Sequence, residues 1–348
     1  MNRFAHNERL RRGVAPLCLL GFVLLWPAAS VPADQPKAAA AQIVWPAPPD
    51  QPRIAYVQSI STPEDAGVKT SLVRRLSNWF AGSRQGKEPL NHPFGVGLDE
   101  QDDLCITDTG AKDVSYFDRA AKRWNRRTQI GGNNLASPVA VAKAGNILYV
   151  ADSELAAIIA FDPDGKLQFL INQELTRPSG LAISGGHLLV ADSAAHCVDI
   201  FDLHGKFLSR FGTRGPDAGQ FNFPTHVTAD SRGNIYVTDS MNCRVEVFDA
   251  NGNFERQIGG PGDGPGSFSR PKGVAVDASG RIYVVDALFS NVQIFDSNGQ
   301  LLLAFGGPGS GPGEFCLPSG ITIGRDNLIY VADSYNGRVQ VFKYVGEK

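Results

Sequence analysis

From about residue 91 to the C-terminus, short runs rich in Val, Ile, Tyr and Phe alternate with tight clusters of Gly, Asn, Asp and Ser. This is the pattern of strands separated by hairpin turns. The stretch from Gly273 shows one unit in full. Gly273 to Asp277 reads as a first strand, turned at Ala278-Ser279-Gly280 into a second, Arg281 to Asp286. Asn291 to Asp296 is a third, and Ser297-Asn298-Gly299 turns it into a fourth, Leu301 to Phe305. Turns of this kind need positive φ, which Gly and Asn supply at least cost.

The unit recurs. A proline opens it at Pro93, Pro138, Pro178, Pro224, Pro271 and Pro318. An aspartate ends the second strand at Asp108, Asp152, Asp192, Asp239, Asp286 and Asp333, and a phenylalanine closes the third at Phe117, Phe161, Phe201, Phe248, Phe295 and Phe342. Three landmarks in step over six units, each of four short strands, have the period of a propeller blade. Six copies of one Asp imply a repeated structural duty, acceptance of backbone N–H groups at a strand end, rather than catalysis. The Gly-rich connections at 259–266 and 306–313 lack a following Gly-Lys-Ser/Thr and lead into strands. They are therefore bends between blades rather than phosphate loops. The phenylalanines after them, Phe268 and Phe315, are expected to wedge between blades.

The units resemble NHL repeats. Units four and six carry the closest wording, Asp239-Ser240-Met241-Asn242-Cys243-Arg244-Val245 and Asp333-Ser334-Tyr335-Asn336-Gly337-Arg338-Val339. Unit five has Asn291 where the Arg stands, and units one to three are more degenerate. The resemblance implies an all-β, six-bladed β-propeller with four-stranded antiparallel blades, used as a recognition platform. The last unit runs out after its third strand. Residues 53–60, Arg53 to Ile60, have the look of the missing fourth, so an N-terminal strand is expected to close the ring and cover its open edge. Residues 53–348 then form a single domain, with blades over 93–348.

Residues 64–92 form an insertion. Leu72, Val73, Leu76, Trp79 and Phe80 fall at helical spacing, predicting a short helix laid on the ring or, with Lys69, Arg74 and Arg75, turned toward a partner or membrane. Residues 34–52 are Ala/Pro-rich and read as a linker. Residues 1–33 read as a signal peptide: Arg3, Arg9, Arg11 and Arg12, then the apolar run Val14 to Trp26, then small-residue sites ending at Ser30 or Ala33. The apolar run is short for a bilayer span of roughly 20 residues. The chain is thus expected to be exported to the periplasm or cell envelope, with no integral membrane span in the mature protein. Cleavage after Ala33 takes the formal charge from −2 to −5 by removing four Arg and one Glu. No basic field then draws it to nucleic acid. Cys105, Cys197, Cys243 and Cys316 remain, without a C-x-x-C, and read as separate thiols, although export permits disulfides.

In a propeller the starts of the first strands line the central channel. Here those positions are mostly small or neutral, and His226 and Lys272 are the ionisable ones. Two functions of different class follow. A non-catalytic binding or scaffolding module, monomeric and without cofactor or metal, would meet a protein or small envelope ligand through His226, Lys272, Asn242, Arg244, Tyr335, Asn336 and Arg338. The two arginines have a second reading as partners of carboxylates on neighbouring blades. The alternative is a metal-dependent lyase or hydrolase with its site near His226, as some NHL-like propellers imply by binding zinc through three channel histidines. Only His226 occupies the comparable Pro-x-His context, and catalytic zinc needs about three protein ligands.

Overall fold

In each of the six units the apolar runs become strands because their neighbours on both sides bury them. The computed structural model describes residues 42–68 and 88–346, which belong to one compact unit. Blade five pairs Pro271–Val276, Ile282–Asp286, Asn291–Phe295 and Leu301–Gly306 antiparallel, in that order. Blades one to four repeat the scheme. The second strands are buried along their whole length in blade five and in blade four, Ile235–Asp239. A strand covered on both faces reads as a continuous hydrophobic run, and these do. The first strands contact one another in sequence around the ring, from Pro93–Leu98 of blade one to Ile321–Ile323 of blade six and back to blade one. The circle is shut.

The closing strand is Ile54–Ile60, antiparallel to Arg338–Tyr344 with Ile54 opposite Tyr344 and Ile60 opposite Val339. One expectation is corrected here. The segment read as a linker over 34–52 includes a fifth strand, Val44–Trp45, paired to Ala55 and Ile54. The indole of Trp45 lies 5.8 Å from the rings of Phe305 and of Phe342. Its apolar area covers blade six where the closing strand alone would leave it bare. The signal peptide expected over residues 1–33 lies outside the described residues, as do the rest of the expected linker to residue 41 and the helix expected between Leu72 and Phe80. Among the described residues, the helical pieces are two 3₁₀ turns, Ser240–Asn242 and Ser334–Asn336, and no helix is long and apolar enough to cross a membrane.

The wedges are as expected. Phe268 packs with Val245, Val247 and Ile258 of blade four and with Val274, Val284 and Phe295 of blade five. Phe315 does the same between blades five and six. Each buried ring contributes on the order of 2 kcal/mol. Each also lies against a glycine of left-handed φ: a β-carbon on Gly306 would stand 2.4 Å from the Phe315 ring, and one on Gly259 2.3 Å from Phe268. The repeated aspartates do the structural work expected of them. All six are fully buried. Asp152 accepts the backbone N–H groups of Ala136 and Ser137 at 2.7 and 2.9 Å, and Asp192 those of Thr176 and Arg177. Equivalent bonds occur in the other four blades. Each carboxylate therefore pins the chain as it enters its own blade's first strand.

Candidate functional site

The entry to each first strand is irregular. After Pro178, Pro224 and Pro271 the pairing register shifts, placing Ser179, Thr225 and Lys272-Gly273 in bulges. Bulges re-aim side chains, and these face the channel end on the side of the ring where the first strands begin. There Phe94, Arg177, Ser179, Thr225, Ser240, Arg270 and Lys272 help line a cavity of about 360 Å³. No carboxylate lines it. Arg177, Arg270 and Lys272 make no ion pair among the described residues, although eleven such pairs occur elsewhere. Burial, then the charges of Arg270 and Arg177, pull the Lys272 ammonium below the usual lysine range. Its Nζ sits 6.0 Å from the centroid of the Phe94 ring.

His226 is deeper. Its ring stacks on Phe94 and separates this mouth from a second cavity of about 410 Å³ at the other end, lined by Asp99, Glu100 and Lys143 among others. Both imidazole nitrogens are buried and without a hydrogen-bond partner. A metal of the kind the alternative reading requires would find one donor. Among the described residues no three His, Cys, Asp or Glu side chains come together as ligands, so the donor set does not fit a catalytic ion.

The signature residues of units four and six lie farther out and work within the fold. Arg244 Nε donates to Asp239 at 2.9 Å, and its Nη2 donates to the carbonyls of Asp217 and Gln220. Arg338 repeats this with Asp333, Gly311 and Glu314. Asn242 and Asn336 donate to the same aspartates and to the carbonyls of Gly215 and Gly309. Both arginines thus pair with a carboxylate of their own blade, rather than a neighbour's, and clamp the connection leading into it. Tyr335 is the exception, 62% exposed, with its ring 4.9 Å from that of His92.

Tyr335 belongs to a set whose other members sequence reasoning missed. Leu155, Phe223, Met241, Leu288 and Leu317 are also exposed, by 38–56%. All six follow the repeated Asp by two or three residues, or immediately precede the blade's proline. Both positions fall at the end of the blade where the basic mouth opens, and Phe223 and Met241 line that mouth directly. At the opposite end the hairpin turns themselves carry none, although Phe207 and Phe254 stand exposed where strands leave those turns. Phe223 and Leu317 hold left-handed backbone, φ 54° and 46°, a conformation that costs a side chain with a β-carbon about 1 kcal/mol. The thiols take no part: Cys105, Cys197, Cys243 and Cys316 are free, the first two buried.

Comparison with known proteins agrees with this architecture. A family described as a 6-bladed beta-propeller matches residues 229–287 and 276–346, and the NHL repeat matches residues 175–201. No curated protein matches by sequence. Among solved structures, a protein of unknown function from Bacteroides thetaiotaomicron aligns with a TM-score of 0.57 at 15% identity, covering 73% of this chain and 70% of its own. A catalytically inactive virginiamycin B lyase from Staphylococcus aureus, with quinupristin, aligns at 0.54 and 13% identity over 73% of this chain and 95% of its own. Hydrazine synthase of Kuenenia stuttgartiensis gives 0.54 and 16% over 74% and 97%. At such identities the likeness is one of fold. Repeat signature, blade count and ring closure converge: this chain has a six-bladed β-propeller fold and carries a segment, residues 175–201, that matches the NHL repeat.

Proposed function

We propose that the protein is a non-catalytic binding module that docks a partner on the face where its first strands begin. One observation carries the reading. Six large apolar side chains stand exposed at equivalent loop positions of that face, around a basic channel mouth. Exposed apolar side chains gathered around one opening mark an interaction surface, whereas Leu170, Leu208 and Leu302 are exposed singly on outer strands. The leader supports export, so the partner is sought in the cell envelope, and the mature chain is taken to be a monomer in its free state.

The solved relatives include enzymes, a virginiamycin B lyase and a hydrazine synthase, which keeps a catalytic reading available for this fold. Its specific form here, a metal site near His226, has one donor to rest on.

The test compares two double variants of the mature protein. Met241→Asp with Leu288→Asp places charge on the proposed face, whereas Phe254→Asp with Leu302→Asp places it on outer strands. Envelope proteins crosslinked to the wild type are expected to be lost with the first pair and kept with the second. Equal loss with both, or a stoichiometric metal that disappears in His226→Ala, would sink the reading.

A further inference from the structure

We propose that the channel mouth between blades four and five receives a carboxylate carried by a polypeptide partner. The inference rests on the binding face described above and names what its centre recognises. Around the ring, the hydroxyls at the first-strand entries and just after the second strands are mostly engaged. Ser179 donates to the carbonyls of Ala191 and Pro224, Ser319 to that of Phe94, and Ser193 to that of Arg177. Ser153 bonds Ser137, and Ser334 donates to the carbonyl of Pro93. Blade four departs from this pattern. Thr225 Oγ1 and Ser240 Oγ are both buried with no hydrogen-bond partner, and Ser240 is only 3% exposed.

Those two hydroxyls line the same cavity as Lys272 and Arg270 of blade five. Two neutral donors and two cations, all without an acceptor, converge on one side of the mouth. A buried polar group left unpaired costs about 1–3 kcal/mol, and cations with no counter-charge repel one another. One carboxylate answers all of it. Its two oxygens accept several hydrogen bonds, charge-assisted ones from Lys and Arg among them. Phosphate would meet the same donors. The apolar rim argues for a polypeptide, because residues on several blades are too far apart to serve one small anion but suit apolar side chains flanking an acidic one.

The experiment selects peptides from a random library displayed on phage against the whole mature protein and measures their binding by calorimetry. Selected peptides are expected to hold Asp or Glu at one position between apolar residues, and to weaken strongly when it becomes the amide. Lys272→Met should weaken them by roughly thirtyfold, as expected for loss of one partner of a desolvated charge pair. Thr225→Val should weaken them too, while neither variant lowers the melting temperature, since neither side chain has a hydrogen-bond or ion-pair partner to lose and Met keeps the contact of Lys272 with Phe94. Peptides that tolerate the amide and Lys272→Met but are abolished by Met241→Asp would overturn the carboxylate site and leave the binding face standing. Inorganic phosphate protecting the fold through Lys272, with no peptide selected, would overturn the polypeptide in favour of a small anion. No binding of either kind would bring down both the site and the face.

Discussion

The imidazole of His226 lies 6.3 Å from the ring of Phe94, centroid to centroid, with 22° between their planes and neither nitrogen hydrogen-bonded. Burial first, and then the charge of Lys272, hold its pKa down to about 3 from 6.5. Below about pH 6.5 the unfolded chain takes up a proton that the folded chain refuses. The contribution is therefore complete above that pH and is lost as pH falls toward about 3. The melting temperature of the wild type should drop across this window more steeply than that of His226→Phe, which keeps the stack and removes the titration. Parallel melting curves for the two proteins would contradict this.

Glu246 works in the opposite sense. Its pKa is pushed up to about 7, from 4.5, chiefly by burial and against the pull of Arg244. Its stabilising contribution is complete below about pH 4.5 and is lost as pH rises through about 7. Blades five and six carry Gln293 and Gln340 at this position, and each donates to a backbone carbonyl 26 residues earlier. Glu246 Oε2 has no partner. Glu246→Gln should gain the equivalent bond to the carbonyl of Gln220 and stabilise the protein by about 1 kcal/mol at alkaline pH, with little effect in acid. Denaturant titrations at the two extremes measure the difference.

The bends between blades make a paired prediction. Gly306 has a φ of 89° and no room for a β-carbon beside Phe315, whereas nothing lies within 4 Å of the β-carbon position of its neighbour Gly307. Gly306→Ala should cost about 2–4 kcal/mol through strain and overpacking. Gly307→Ala should be within about 0.5 kcal/mol of the wild type. Equal effects in chemical denaturation would mean that the wedge is not what constrains this loop.

At the clasp, Trp45→Ala should lower stability by roughly 2–3 kcal/mol, below the range for a fully buried Trp because its side chain is half-buried. Removing residues through Ile60 should do something different in kind. It strips the partner from Arg338–Tyr344 and leaves an unpaired edge. Light scattering is expected to show association of the truncated chain and a monodisperse point mutant.

Much of this fold is legible in the chain because a propeller repeats its instructions. The Pro, Asp and Phe landmarks each report a contact made six times, so degeneracy in blades one to three does not hide it. The Val44–Trp45 strand has no such redundancy. Two residues ahead of Pro46, Pro48 and Pro49 look like linker until Phe305 and Phe342 supply the surface they cover. The site is harder still. Arg244 and Arg338 stand out as charged loop residues, yet their donors are consumed by Asp239 and Asp333. Leu155, Met241 and Leu288 look like ordinary ends of strands. They form a surface only after the ring has curved and brought three separate stretches of sequence to one side, and no local pattern encodes that curvature.

Ring closure also sets the order of events in the life of the chain. The strand at Ile54 is made long before the edge it must join, Arg338–Tyr344. Until then it waits without its lateral partner, and blade six cannot exist in any stable form. Its closing hydrogen bonds link residues far apart along the chain, Ile54 with Tyr344 and Ile60 with Val339, a separation that makes assembly slow. The ring thus cannot close until Arg338–Tyr344 has been made, and any machinery that handles the growing chain before then meets it unfinished.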